Sequence, residues 1–479
     1  MTFNNLNILL LILFVSIVST PAICQEHLKS ISIDLKTGNG SEVTSITDND
    51  ENIHYFFLDN LSLKHLIFNS VFDSIHKKDY PKPDRPYSHL QGYSVSEDNV
   101  VSLYFTNAAK NKFCAFSLDK EQQLQIEKFE LPMKKEKIFA LLNHDKKLNI
   151  FSFKKNTSII KRYTFNKNEV TTSTYDFSGE RFFNFEDQPV VLGSILNVHG
   201  NAIIDTDLPS SIDQASKLIK LYPSGNKLTI SLNHRKSATR LLNLNLDNES
   251  SSLDYFPIPS FAFGNMEYVK SNSFINNGKL LQVISSTRML DFYIYDMSTR
   301  AELKKYSITS DKEIPFKNSP IYQEGSAYSS NTRELEKTKQ YLRKVTNSQR
   351  VGIAANEKDG KLNIKMGGVT TIAAGGMMMP MAGIPVGSFG AMTFSVSPTF
   401  FAYNAYASTR ATYIKSVFDA STLNHVETGP FVNLFDKIEE YEEGLSNIRL
   451  VTLFKFKDYY VHSNYSKDDK RYTLSKFEN

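Results

Sequence analysis

The sequence predicts an all-β fold assembled from recurring four-stranded antiparallel units. Three observations carry that expectation. Short apolar runs of roughly five to eight residues alternate with polar turns from Lys29 almost to the end of the chain, which is the pattern of strands. The chain holds 34 Phe and 24 Tyr among many Ile, Val, Thr and Ser, side chains that fit a pleated surface. The order strand, turn, strand returns at intervals of roughly 45 to 60 residues, a period of repeat architectures.

In chain order, residues 1–24 read as a signal peptide. Asn7 to Val18 is an apolar run of signal-peptide length and is short for a membrane span. Ser19, Thr20, Pro21 and Ala22 follow, so cleavage after Cys24 would begin the mature chain at Gln25, with cleavage after Ala22 as the alternative. The expected location is exported: periplasmic, cell-surface or secreted. Cys24 could carry a lipid anchor, but Ile23 stands where a bacterial lipobox wants Gly, Ala or Ser. Cys114 then stays as the single ordinary thiol, and an exported chain without a disulfide must be held by its core.

Ser30 to Leu35 alternates with period two and reads as an isolated first strand. Asp48 to Asn52 is a turn before Ile53 to Leu58, and the Pro-rich piece from Tyr80 to Tyr87 is a loop. Asn99–Phe105, Phe113–Leu118 and Leu124–Leu131 then form a hairpin series. The series repeats at Leu148–Phe153 and Ile159–Phe165, at Lys227–Leu232, Thr239–Leu246 and Leu253–Ile258, and at Lys279–Ile284, Leu290–Tyr295 and Ala301–Ile308. Thr412–Phe418 and Leu423–Val426 continue it. Asp119, Asp247, Asp296 and Asp419 each end an apolar strand and open a turn. Such an Asp accepts backbone N–H bonds in its own turn, and four of them in separate repeats make turn residues rather than a catalytic set.

About seven units start near Val43, Tyr93, Ile138, Leu218, Tyr268, Val345 and Arg449. The last unit offers only Leu450–Phe456, Tyr459–His462 and Tyr472–Phe477, and the isolated first strand can complete it. That closure protects both edges and ties the two ends of the fold together. In period and pattern the chain resembles β-propeller proteins. The resemblance implies an approximately seven-bladed propeller across residues 25–479 and names no particular propeller family. Two stacked β-domains with a break near Ser310 to Ser330 are the competing architecture.

Two segments depart from the repeat. A helix is predicted over 331–346, capped by Asn331 with Glu334 three residues on. Leu335, Thr338, Tyr341, Leu342 and Val345 would share its buried face. Then comes Met366 to Thr409, 44 residues without Asp, Glu, Lys, Arg or His, with seven of the 21 glycines and six of the 11 methionines. Its 367–392 part reads as a long Gly/Met-rich loop between strands Val351–Ala355 with Leu362–Met366 and strands around Thr393–Val396 and Phe400–Ala407. Gly375, Gly376, Pro380, Gly383 and Pro385 exclude a membrane-spanning helix there. In an up-and-down blade this loop and the helix emerge on the same face, where function concentrates.

Met377, Met378, Met379, Met381, Ile384, Phe389 and Met392 are the candidate binding residues, because Met adapts to varied partners. Peripheral membrane contact is a variant of that reading. A Cu(I) site on the thioethers and a lid folded over its own scaffold are alternatives. The chemistry motifs are missing: Val386-Gly387-Ser388-Phe389-Gly390 lacks the first Gly of a nucleophile elbow, and no zinc-protease or phosphate-loop pattern occurs. Asp48-Asn49-Asp50-Glu51-Asn52 spaces oxygens as calcium loops do, but lacks the central Gly and distal Glu. With 55 basic and 51 acidic residues and no basic stripe, nucleic-acid binding is not expected. The sequence therefore leads to an extracytoplasmic binding or scaffold protein with no cofactor or metal. A propeller hydrolase or lyase with residues gathered from several blades is the second reading.

Overall fold

The computed structural model describes residues 25–38, 41–235, 237–259, 269–324, 332–369, 398–407 and 411–479. Burial along each strand reflects its radial place. Ile53–Leu58 and Val101–Thr106, each second in its sheet, are buried at every position. Ser74–Tyr80 and Leu124–Glu130, each outermost, are largely exposed. A strand with neighbours on both edges and a packed sheet on each face reads as a continuous apolar run, and an outer strand alternates.

Consecutive antiparallel strands build blades one to five over residues 42–80, 89–130, 137–176, 219–257 and 270–309. Blade seven contains Ile448–Phe456, Tyr459–Ser466 and Arg471–Phe477. Its outer strand is Gln25–Ser32, with Gln25 opposite Phe477 and Ile31 opposite Tyr472. The molecule is thus a seven-bladed β-propeller closed by its first strand. That strand lies earlier than Ser30–Leu35, because Ile33 and Leu35 turn inward into the core instead.

Apolar side chains fill the spaces between sheets. Phe56, Val95 and Phe116 join blades one and two, and Tyr104, Leu148 and Tyr163 join two and three. Phe151, Ile160 and Leu221 join three and four. One continuous cluster runs from Leu241 in blade four through Val283 in blade five to Ile364 in blade six. Ile314, Phe316 and Ile321 belong to it, so the blades on either side of the break expected for two stacked domains share one core.

Blade six is irregular. Its order is Arg333–Leu335, Ile321–Gln323, Ala411–Asp419, Lys361–Val369, Arg350–Lys358. The fourth strand comes from upstream, so Leu423–Val426 is not a strand and keeps only an isolated bridge between His425 and Phe418. The same pairing claims Arg333–Leu335, where a helix was expected: Glu334 lies opposite Tyr322. The helix α3 instead runs Thr338–Asn347 and buries Thr338, Tyr341, Leu342 and Val345, while Asn331 lies outside the described residues. Side-chain Oε1 of Gln340 accepts the Lys337 N–H at 3.4 Å at its start.

The expected single helical insertion is in fact several helices. Before α3 come α1 (Leu192–Val198) and α2 (Ile212–Ser216). After it come α4 (Pro398–Ala407) and α5 (Leu434–Glu443). The α4 segment was expected as a strand from its aromatics. Pro398 at the first turn and Ala402 and Ala405 favour a helix, and Ala402, Tyr403 and Tyr406 share one buried side. Gly367 and Gly368 belong to strand Lys361–Val369 rather than to a loop. A Cβ at Gly368 would lie 2.8 Å from the Val345 Cα, so α3 can lie against the strand only because that position is bare.

Candidate functional site

In blades one to five the connections between first and second strands, and between third and fourth strands, span two to five residues on one face, and the first-to-second connections of blades six and seven are two residues long. The long connections after Asp176, Thr309 and Val369 leave from the opposite face, and the connection 420–447 crosses from the short-turn face by way of α5. Antiparallel alternation makes this two-faced distribution unavoidable once the insertions occupy these places in the repeat.

On the helix-bearing face, α4 and α5 form a wedge between blades six and seven. Ala402, Tyr403 and Tyr406 of α4 pack with Leu434, Phe435 and Ile438 of α5 and with Leu453, Tyr460 and Phe477 of blade seven. No strand residue of blade six enters that cluster. Blade six turns polar side chains toward the wedge instead. Lys365 and Lys415 are register partners on adjacent strands, and the alternation that sends Ile364 and Met366 into the blade-five side sends Lys365 the other way.

Like charges opposite one another on a sheet are destabilising, so the surroundings must compensate. Lys415 Nζ donates to Asp436 Oδ2 at 3.2 Å. The same carboxylate accepts the Tyr406 hydroxyl at 2.7 Å and the Asn433 N–H at 3.0 Å. Lys365 Nζ lies 3.9 Å from Glu324 Oε1, with its side chain 9% exposed. It also sits 3.8 Å from the centre of the Tyr413 ring and 5.0 Å from that of Tyr406, where the ring faces attract a cation. Burial lowers the Lys365 pKa, against the pull of Glu324. Burial and the nearby Asp436 raise the Tyr406 pKa. Burial, with Asp436 and Glu443 nearby, raises that of Glu439. Beside this group, Glu442 accepts from Tyr403 Oη and from His462 Nε2, each at 2.7 Å.

The Asp436→Ala variant should lose about 3–5 kcal/mol of stability, because it strands Lys415 without its carboxylate and leaves the Tyr406 hydroxyl unpaired. Urea titration of variant and wild type measures this; a loss under about 1 kcal/mol would place the Lys415 charge in solvent.

A second polar chain crosses blade one. His54 lies 3.0 Å (Nδ1) from His65 Nε2 and donates through Nε2 to Asp48 Oδ2 at 3.1 Å. Asp48 also accepts the Asp50 and Asn52 N–H groups, which makes the 48–52 segment a turn; burial raises its pKa, but the bonds from His54 and Asn52 outweigh it and hold the carboxyl down at about 2. Among the described residues no group of three His, Cys, Asp or Glu is placed to hold a metal. Nor is any described helix long and apolar enough to cross a membrane.

The other sequence-derived residues fall as follows. Met377, Met378, Met379, Met381, Ile384, Phe389 and Met392 lie outside the described residues. Asp296 and Asp419 hold their turns by accepting the N–H groups two and three residues on, at 2.7–3.1 Å. Asp119 accepts the Gln123 N–H at 2.7 Å. At Asp247 the turn acceptor is Asn245 instead. Cys114 is buried, and burial pushes its thiol up to about 11. Sequence reasoning missed Lys365, Lys415 and Asp436. The available signal was a lysine flanked by Ile364 and Met366, and another by Ile414 and Ser416, in strands otherwise short of charge.

No family model matches the chain, and no curated protein matches it. Among solved structures, an oligogalacturonate lyase in complex with manganese is similar at 8% identity and a TM-score of 0.33, over 95% of this chain and 97% of that one. The Dos1 propeller is similar at 9% identity and a TM-score of 0.27, over 95% of each chain. The dihydro-heme d1 dehydrogenase NirN in complex with DHE matches 54% of this chain at 9% identity and a TM-score of 0.25, and the chain spans only 45% of its length. Similarity at this level assigns neither a family nor an activity.

Proposed function

We propose that this propeller is an exported binding or scaffold protein that engages a partner through its helix-bearing face. The face comprises α3, α4 and α5, and the Gly/Met-rich segment 370–397 joins strand Lys361–Val369 to α4 in the sequence. One observation carries this reading: the long connections after Asp176, Thr309 and Val369 all depart from one face, on which α4 and α5 pack together. Loops and insertions on a rigid scaffold are where recognition is built. Met377, Met378, Met379, Met381, Ile384, Phe389 and Met392 are the proposed contacts, for a protein or for a membrane surface.

The enzyme reading, a propeller hydrolase or lyase, draws on the buried Lys365 amine beside Glu324 and two tyrosine rings. A buried amine of lowered pKa can act as base or nucleophile.

Replacing 375–390 by a short Gly-Ser turn tests the binding reading. The mature protein should float with liposomes or capture a partner from envelope extract, and the replacement should not, with equal thermal melts. Equal behaviour of the two would sink the reading and direct attention to Lys365.

A further inference from the structure

A cleft of about 620 Å³ opens on the helix-bearing face between α3 and blade five. Its walls carry Arg288, Lys339 and Arg343, with Thr287, Thr309 and Asp311 between them. Lys339 and Arg343 are one helical turn apart, so both point to the same side of α3. Among the described residues no ion pair engages any of the three cations; the nearby pairs Lys305–Asp291 and Arg350–Asp213 use other groups. The cleft lining contains one carboxylate, Asp311, whose pKa is lowered chiefly by the neighbouring Thr309. Three cations against one carboxylate leave an excess positive field in a concave site, which focuses on anions.

The supports of these cations are fixed. The Arg288 turn is pinned on both sides, its N–H donating to Ser286 Oγ at 3.3 Å and its carbonyl accepting the Ser310 N–H at 2.8 Å. The α3 helix is anchored by Tyr341, whose hydroxyl donates to the Met366 carbonyl at 3.0 Å, and by Thr346, 3.1 Å from Ser285. Two guanidinium groups and an ammonium, all on exposed side chains, are thus carried on fixed backbone around one cleft, and guanidinium forks match the planar or tetrahedral oxygens of carboxylate, sulfate and phosphate.

We infer that this cleft binds a small ligand carrying two or more oxyanion groups, held by Arg288, Arg343 and Lys339 with hydrogen bonds from Thr287. The volume suits a ligand of disaccharide or small-metabolite size. This site does not depend on the partner-binding reading, since none of its residues lies in 370–397.

Calorimetric titration of the mature chain with inorganic pyrophosphate, citrate and a trisulfated disaccharide tests it and separates the phosphate, carboxylate and sulfate sources. At least one probe should bind at a single site with a Kd below about 1 mM, more weakly as salt rises from about 50 to 300 mM. The R288Q/R343Q variant should bind at least about tenfold more weakly, and R288K/R343K should fall between. The K82E/K134E variant, which alters net charge far from the cleft, should match wild type within about twofold. Replacement of 375–390 should leave this binding intact even if it abolishes partner capture. Failure of all three probes, or equal binding by wild type and the Gln variant, overturns the site. So does an equal loss in the K82E/K134E variant, which would reduce the effect to general charge.

Discussion

A chain that begins at Ile33, without strand Gln25–Ser32, is expected to melt far below one that begins at Gln25 and to aggregate at its exposed edge. The strand pairs with Arg471–Phe477 over its full length and packs Leu28 and Ile31 against the cluster joining blades seven and one. At about 1 kcal/mol net for each ladder hydrogen bond, with about 25 cal/mol per Å² for the apolar contacts, the loss is on the order of 5 kcal/mol. A domain has only about 5–15 kcal/mol in total. The Ile33 N–H, which donates to the Lys470 carbonyl at 3.0 Å, would lose its support as well. Thermal melts followed by circular dichroism measure the drop, and light scattering reports edge pairing. A melt within about 3 °C of the intact protein would show that closure contributes little.

The second large effect is acid destabilisation. His65 and His234 are both buried and held neutral. Burial, then the neighbouring His54 and His76, lowers the His65 pKa well below its ordinary value. Burial lowers that of His234 to about 4, opposed by its bond to the Phe183 carbonyl and reinforced by His199, Arg235 and Arg240. An unfolded chain protonates these rings near 6.5, while the folded one resists until lower pH. Between those values the unfolded state binds more protons, so stability rises with pH and is lost as pH falls from about 6.5 to 4. For His234 alone the loss by pH 4 is roughly 3 kcal/mol, and His65 adds in the same direction. Asp48, held down at about 2, extends the loss below its ordinary value. Urea titrations at intervals between pH 7.5 and 4 check this. The His234→Gln variant should flatten the slope; an unchanged slope would assign the proton uptake to other groups.

The repeat was legible because short apolar runs and turn residues recur in the same order in each unit, and five blade starts fall within about two residues of Val43, Ile138, Leu218, Tyr268 and Arg449, while Tyr93 and Val345 miss by four and five. Closure by the first strand was legible for a related reason: the last unit lacked one strand and the first strand lacked a sheet. Blade six was not. Its fourth strand, Ile321–Gln323, is only three residues long, and its pairing is set across some 90 residues of intervening chain. Nothing in local propensity distinguishes Arg333–Leu335 as an edge strand from the first turn of a helix with a capping-box pattern. The same limit hides the site. Lys365 and Lys415 become neighbours through register alone, and Asp436 reaches them from a helix that the β-dominated pattern did not suggest.

The wedge between blades six and seven joins two sheets through helices. Between the other sheets apolar clusters dominate, whose grip strengthens on warming from the cold and tolerates salt, with single buried polar contacts such as Lys220 on Asn272 and Tyr55 on Ser463 set among them. At this joint, lysines, carboxylates and tyrosine hydroxyls take the place of hydrocarbon on the blade-six side, and such contacts are strained by a single lost proton. A closed ring distributes stress around its circumference until one junction yields. Here that junction is marked in advance, it stands next to the blade completed by the first strand, and its two rods, α4 and α5, lean on the face where the long insertions begin. Slight parting there would change the spacing of that face while the sheet-on-sheet seams around the rest of the circle stay closed.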